Sequence, residues 1–352
     1  MYINFKNKCL IITFLSLFGV IFLTACNSGA SKESNTPLSR TEFLLGTVTT
    51  ISLYDHQSEE TLDLAIEKLK ELEDTLSINK TGTLIDEIND AAGIHPVVVD
   101  ENTYDVIEKG LFYSELTNGA FDITVGPIVK LWNIGFPEAR IPSPTEIEDA
   151  LPLVGFDKVT LNPEDLSVYL TEPGMRLDLG GIGKGYAADE IAKLLKQEGV
   201  EHAIIDLGGN VYTLGNKPGN QLWTVGVQDP FNPRGKIIGR LKTENKSIVT
   251  SGIYERFIED EAGHKYHHIL NPKTGYPYEN QIAGVTIVSD YSTDGDALST
   301  AVFAMGIEEG LAFVEDLEGV DAIFITLDSK VYVTDGLKDN FTLSNESFTM
   351  AN

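Results

Sequence analysis

Arg176-Leu-Asp-Leu-Gly-Gly-Ile-Gly-Lys-Gly-Tyr186 is the stretch on which the reading of the fold turns. Arg176 to Leu179 reads as a strand and Gly180 to Gly185 as a turn. Tyr186 to Gln197 reads as an amphipathic helix with Ala187, Ile191, Leu194 and Leu195 on one face. Three meanings are open. Backbone amides at such a turn, helped by the helix dipole, favour an anionic group, and Lys184 would stand at the mouth as a cation. Gly183-Lys-Gly185-Tyr-Ala-Ala188 also satisfies the G-x-G-x-x-A pattern of a dinucleotide-binding α/β fold, with Asp206 ending the next strand. That fold leaves Lys184 and Asp178-Leu-Gly-Gly unexplained. The third meaning is structural: the glycines let a helix pack closely on a sheet. A P-loop is excluded, because Gly185 stands where Ser or Thr must follow the lysine.

Outward from this turn the pattern favours α+β over a regular βαβ series. Thr41 to Tyr54 is β-branched and reads as a strand or hairpin. Thr61 to Leu76 and Asn102 to Leu116 have helical spacing. A proline-rich stretch (Pro137, Pro142, Pro144, Pro152) surrounds a short helix at Glu146 to Ala150. Beyond Lys158 strands dominate: Val168–Leu170, Ala203–Asp206, Leu222–Val227, Lys236–Leu241 and Ile282–Ser289. A helix at Gly295–Met305 and a closing hairpin, Ala322–Leu327 with Lys330–Thr334, complete the domain.

The N-terminus reads as an address. Lys6 and Lys8 precede an apolar run from Leu10 to Leu23, too short to span a bilayer and suited to a secretory signal. Leu23-Thr-Ala-Cys26 looks like a bacterial lipobox, with Cys26 as the lipidation site and a polar tether after it. The chain thus divides into a signal peptide (1–25), lipidated Cys26 and tether (26–40), one domain (41–340) and a C-terminal tail (341–352). The expected location is the extracytoplasmic face of a bacterial cell membrane, with the lipid as the membrane contact. Cys9 falls in the removed part, so the mature chain has no internal disulfide and depends on its core. Asp and Glu number 53 against 26 Lys and Arg, which argues against nucleic acid as a partner. A phosphate-bearing ligand would then need a local dication.

Two further segments carry chemistry. Asp296-Ala-Leu-Ser-Thr300 opens a helix in which Asp296 and Thr300, four apart, converge on one side. A carboxylate and a hydroxyl suit Mg²⁺, which completes its shell with water and phosphate. Taken alone, helix capping by Asp294 or Asp296 and back-bonding by Thr300 account for them more simply. His267-His268-Ile-Leu-Asn-Pro-Lys-Thr-Gly275 is a strand running into a turn. Its histidines, with His202 and His264, are too scattered for zinc, but one imidazole there could act as a general base. Gly119-Ala-Phe121-Asp-Ile-Thr-Val-Gly126-Pro127, ahead of Trp132, either lines a cavity or buries its aromatics.

In this order these segments, together with Asp206-Leu-Gly-Gly-Asn210 and Thr250-Ser-Gly-Ile-Tyr-Glu-Arg256, resemble the ApbE family of FAD:protein FMN transferases from Leu45 to Asp335. The resemblance implies a single α+β domain related to the T-fold, with a mixed, mainly antiparallel sheet and packed helices. It implies transfer of FMN from FAD to a Ser or Thr hydroxyl of an exported flavoprotein, releasing AMP. Mg²⁺ would be held by the Gly181 carbonyl, Asp296 and Thr300. FAD, the substrate, would meet Leu45, Asn79, Ala120, Phe121, Asp122, Asp178, Lys184, His268 and Ile269. His268 is the implied base, with Asp178 next in line and Lys184 neutralising charge. Two positions depart from the family: Leu45 replaces a common Met, and Ser77-Ile78-Asn79 replaces Ser-Thr-Tyr, which opens one wall of the flavin site. Water entering there would make an FAD diphosphatase. A flavin-binding lipoprotein without turnover is the non-enzymatic alternative.

Overall fold

The computed structural model describes residues 36–352 apart from Asn79. The expected signal peptide, Cys26 and the flavin wall at Asn79 therefore lie outside the described residues. A nine-stranded sheet runs β1 (Leu38–Leu44), β2 (Thr47–Leu53), β6 (Ala203–Leu207), β7 (Asn210–Leu214), β10 (Lys246–Gly252), β13 (Ile282–Ser289), β14 (Asp321–Thr326), β15 (Lys330–Val333) and β17 (Thr349–Met350). Every neighbouring pair is antiparallel except β15 and β17. Sequence patterning predicts this mixed α+β arrangement. The antiparallel pairing rules out the dinucleotide-binding alternative, which needs a parallel sheet.

Both faces of the sheet are covered, and the period of two shows how. On β14, Ala322 and Phe324 enter one core while Ile323 and Ile325 enter another. The first core packs α1 (Glu59–Leu76), α6 (Gly183–Gln197) and α7 (Ser292–Met305) against the sheet. The second lies under a three-stranded sheet, β16 (Phe341–Leu343), β9 (Ile237–Thr243) and β8 (Trp223–Gln228). Between them, all 8 residues of β13 are buried, which is why its sequence is an unbroken run rather than an alternation. The remaining helices are α2 (Leu84–Asp90), α3 (Glu101–Leu116), α4 (Gly126–Trp132), α5 (Pro144–Ala150) and α8 (Ile307–Glu315). β3 (Val97–Val98), β5 (Ser167–Leu170) and β4 (Val159–Asn162) form a small sheet, and β11 (Phe257–Glu259) pairs with β12 (Lys265–His267).

Four expectations are corrected. Arg176–Leu179 is not a strand: it makes a single bridge, Arg176 to Val125. The buried Asn89 side chain stands in for a neighbouring strand, donating to the Leu177 carbonyl at 3.2 Å and accepting from its N–H at 2.6 Å. Both helices of the site begin earlier than expected, α6 at Gly183 and α7 at Ser292, so Asp296 lies in the second turn rather than the first. The first strand begins at Leu38, three residues before Thr41. Residues 341–352 are not a tail: β16 pairs with β9, and β17 pairs with β15.

Candidate active site

The turn after Leu179 is held by its own backbone and by α7. Asp178 accepts the Gly180 N–H at 2.7 Å, and its N–H donates to the Ile123 carbonyl at 2.7 Å. Asp296, 4% exposed, accepts the Gly185 N–H at 2.9 Å and faces Lys184 Nζ at 3.2 and 3.4 Å. Helix contact this close needs a glycine: a Cβ on Gly185 would overlap the Ser292 carbonyl and lie 2.8 Å from Asp296 Cβ. The start of α7 has no cap of its own. Asp189 on α6 supplies it, accepting the N–H groups of Ser292 and Thr293 at 2.7 and 2.8 Å and the Thr293 hydroxyl at 2.6 Å. Burial pushes the Asp189 carboxyl up to about 6 against those three donors.

Capping and back-bonding therefore do not explain Asp296 and Thr300. Asp296 serves α6 rather than its own helix, and Ser299 is the residue that back-bonds to the Asp296 carbonyl, at 2.9 Å. The Thr300 hydroxyl and the Gly181 carbonyl make no hydrogen bond among the described residues. Thr300 Oγ1 lies 3.6 Å from where a Cβ on Gly181 would stand. A carboxylate and two uncommitted neutral oxygens are the donor set a hard dication takes. Among the described residues the one group of acidic and histidine side chains with metal-like spacing is elsewhere: Asp55, Glu201 and His202, within 4.8 Å. Both oxygens of its Asp55 already accept backbone N–H groups, from Glu201 and His202.

His268 lies in the bend that directly follows β12. Its Nδ1 is 3.3 Å from the Arg256 carbonyl, which also accepts the His268 N–H at 3.1 Å. A carbonyl can only accept, so Nδ1 carries the proton and Nε2 keeps its lone pair. Burial first, then the Arg256 charge, His267 and Lys184, bring the imidazole down to about 4. Asp178 is raised by burial, against the Gly180 N–H and the charges of Arg256, Arg176 and Lys184. Arg256 and Lys184 thus act on both Asp178 and His268, which unites turn, α7 and His268 in one electrostatic site. The arginine stands only at the end of a sequence motif, and nothing in that motif marks it as part of the site.

The other expected residues sort by what they touch. Phe121 packs on the turn, its ring 3.0 Å from a Cβ on Gly181, and the Ala120 carbonyl accepts the Tyr278 hydroxyl at 3.3 Å. Asp122 is spent on the fold, accepting Thr124 N and Oγ1 at 2.8 and 2.6 Å and Phe156 N at 3.3 Å. Ile269 is a core residue. Trp132 is fully buried and donates to the Gly275 carbonyl at 2.8 Å, so the structural reading of that aromatic holds. Leu45 forms the β1–β2 turn with φ 53, its N–H on Glu73 at 2.7 Å. No hydrogen bond or ion pair links it to the Asp178–Asp296 group among the described residues. His267 points the other way, into a hollow of about 540 Å³ with Tyr266, Tyr278 and Phe303.

Sheet, paired helices and glycine turn together define an α+β protein in which a lysine and a buried carboxylate meet at the turn, with a neutral histidine in the same electrostatic site. The chain belongs to the ApbE family, whose sequence model matches residues 45–324. It is 40% identical to an FAD:protein FMN transferase of Klebsiella pneumoniae, covering 84% of this chain and 90% of that one. It is 36% identical to one of Treponema pallidum, covering 94% and 97%. Among solved structures, an ApbE protein of Thermotoga maritima superposes with a TM-score of 0.79 at 33% identity, over 87% of this chain and 99% of that one. The flavin transferase ApbE of Vibrio cholerae gives 0.77 at 26% identity, over 86% and 99%.

Proposed function

We propose that this protein transfers FMN from FAD to a Ser or Thr hydroxyl of a protein acceptor and releases AMP. The observation that carries the reading is the meeting of Asp296, Lys184 and the Gly180–Gly185 turn beside a neutral His268 whose Nε2 is free to accept a proton. The acceptor oxygen attacks the FMN-side phosphorus, its proton goes to His268 Nε2, and the bond from that phosphorus to the bridging oxygen breaks. AMP leaves with the bonding pair. Lys184, at the N-terminal end of α6, offsets the charge that develops on the phosphoryl oxygens. Mg²⁺, held by Asp296, Thr300 and the Gly181 carbonyl, would supply Lewis-acid stabilisation of those oxygens and of the leaving phosphate. Asp178, with its carboxyl raised by burial and one oxygen bound to Gly180 N–H, orients the turn and is the second candidate for the proton.

The pattern of residues 1–26 supports export, lipid modification at Cys26 and residence on the outer face of the cell membrane. The acceptor is then an exported protein too. Incubation with FAD, Mg²⁺ and a Ser/Thr-bearing acceptor peptide tests the reaction. A peptide mass gain of one FMN, abolished by chelation, is the expected result. Free FMN alone would make the protein a diphosphatase, and FAD binding without turnover would make it a carrier.

A further inference from the structure

We propose that Arg256 is the phosphate-binding arginine of this site, taking a non-bridging oxygen of the dinucleotide's diphosphate beside His268. The inference rests on the FAD reading above and adds a residue to it. A diphosphate entering a chain of net charge −27 needs local cations, and the cations near the turn are not equally available. Lys184 is engaged by Asp296 and by the Gly180 carbonyl at 3.4 Å, and Arg176 faces Asp86 at 3.9 Å. The exposed Arg256 guanidinium has no ion-pair or hydrogen-bond partner among the described residues. Its neighbour in sequence, Glu255, cannot neutralise it, because Arg234 already holds that carboxylate at 2.6 Å. Of the lysine and arginine charges that act on Asp178 and His268, Arg256 alone is uncommitted among the described residues.

That charge is also aimed. The Arg256 stem lies across Gly135, whose φ is +96 and where a Cβ would stand 2.8 Å from Arg256 Cδ. The Arg256 carbonyl fixes both the N–H and Nδ1 of His268, so base and arginine are held by one peptide unit. The guanidinium acts on Asp178 and His268 together, so its charge is felt at both proton-accepting candidates. A planar fork of donors suits phosphoryl oxygens, and a charge-assisted pair survives exposure better than a neutral one.

Equilibrium binding of FAD and of riboflavin, which shares the flavin but has no phosphate, tests the proposal by flavin fluorescence. Arg256→Ala should weaken FAD binding about 10- to 100-fold and leave riboflavin unchanged. Arg256→Lys should recover part of the loss. Gly135→Ala, which keeps the arginine but displaces its stem, should fall between wild type and Arg256→Ala. Equal losses for FAD and riboflavin would mean a structural role, and unchanged FAD binding would mean that Arg256 serves the acceptor instead. Either result overturns the proposal. Because it is a binding measurement, it stays readable even where the wild-type protein fails to transfer FMN.

Discussion

His268, the base in the proposed reaction, is neutral because of what surrounds it, and that makes its pH behaviour specific. Burial has the largest effect on it, and the charges of Arg256, His267 and Lys184 add to that effect. Each disfavours the imidazolium, so the side chain stays neutral until pH falls to about 4. The sign follows directly: the reactive form is present above that value and is lost below it. kcat/KM, which reports the free enzyme, should therefore hold down to about pH 4 rather than fail near the ordinary 6.5 of histidine. A bound diphosphate neutralises the same cations. The acid limb of kcat should accordingly lie at higher pH than that of kcat/KM, as steady-state profiles with FAD as the varied substrate would reveal. Coincident limbs near 6.5 would remove either His268 as the base or the cations from its surroundings. His268 was identifiable in the sequence as a near-neutral side chain by a turn. Its tautomer was not, because that depends on a carbonyl 12 residues away.

Between α6 and α7 the decisive contact is made by a residue that does no chemistry. Asp189 lends α7 the cap its own sequence lacks, since Tyr291 at the N-cap has no oxygen placed to serve. Asp189→Ala should cost about 1–2 kcal/mol of stability, the usual loss for a missing cap. It should also lower FMN transfer, because the register of α7 on α6 is what sets Asp296 against Gly185 and Lys184. Thermal melting and turnover should thus fall together. A stable variant with full activity would mean that Gly185 packing alone fixes the register. The same contact explains which boundaries were legible. α1 and α5 begin where Ser58 and Ser143 announce them, and the sequence placed them within two residues. The start of α7 was misplaced because its cap lies 103 residues upstream. The start of α6 was misplaced because Gly183 and Gly185, poor helix formers, are required there by packing. The strand expected at Arg176 failed for a related reason: Asn89, 88 residues earlier, takes the hydrogen bonds a neighbour strand would have made.

At the largest scale the described residues form a central sheet with a different roof on each face, and the site belongs to the helical one. The other roof depends on the last residues of the chain. Phe341 and Phe348, 8% and 6% exposed, pack with Val227, Ile238 and Leu241 under β9. Phe348 also stacks on Phe231 with ring centroids 6.0 Å apart. Asn352 finishes the edge by accepting the Val333 N–H at 3.0 Å and donating to the Val333 carbonyl at 2.8 Å. These segments read as a tail in the sequence because β16 and β17 are 3 and 2 residues long, below the length at which alternation is visible. Phe348→Ala removes a buried aromatic at a cost of about 3–5 kcal/mol. For a chain of this size the melting temperature should drop by about 5–10 °C. FAD affinity at temperatures where the variant is folded should not change, since none of the residues that meet Asp296, Lys184 or His268 belongs to this roof. An unchanged melting temperature would mean that the C-terminal strands only decorate the sheet. Loss of FAD affinity in the folded variant would mean that the second roof transmits strain through β13 to α7, so that site and scaffold are one unit.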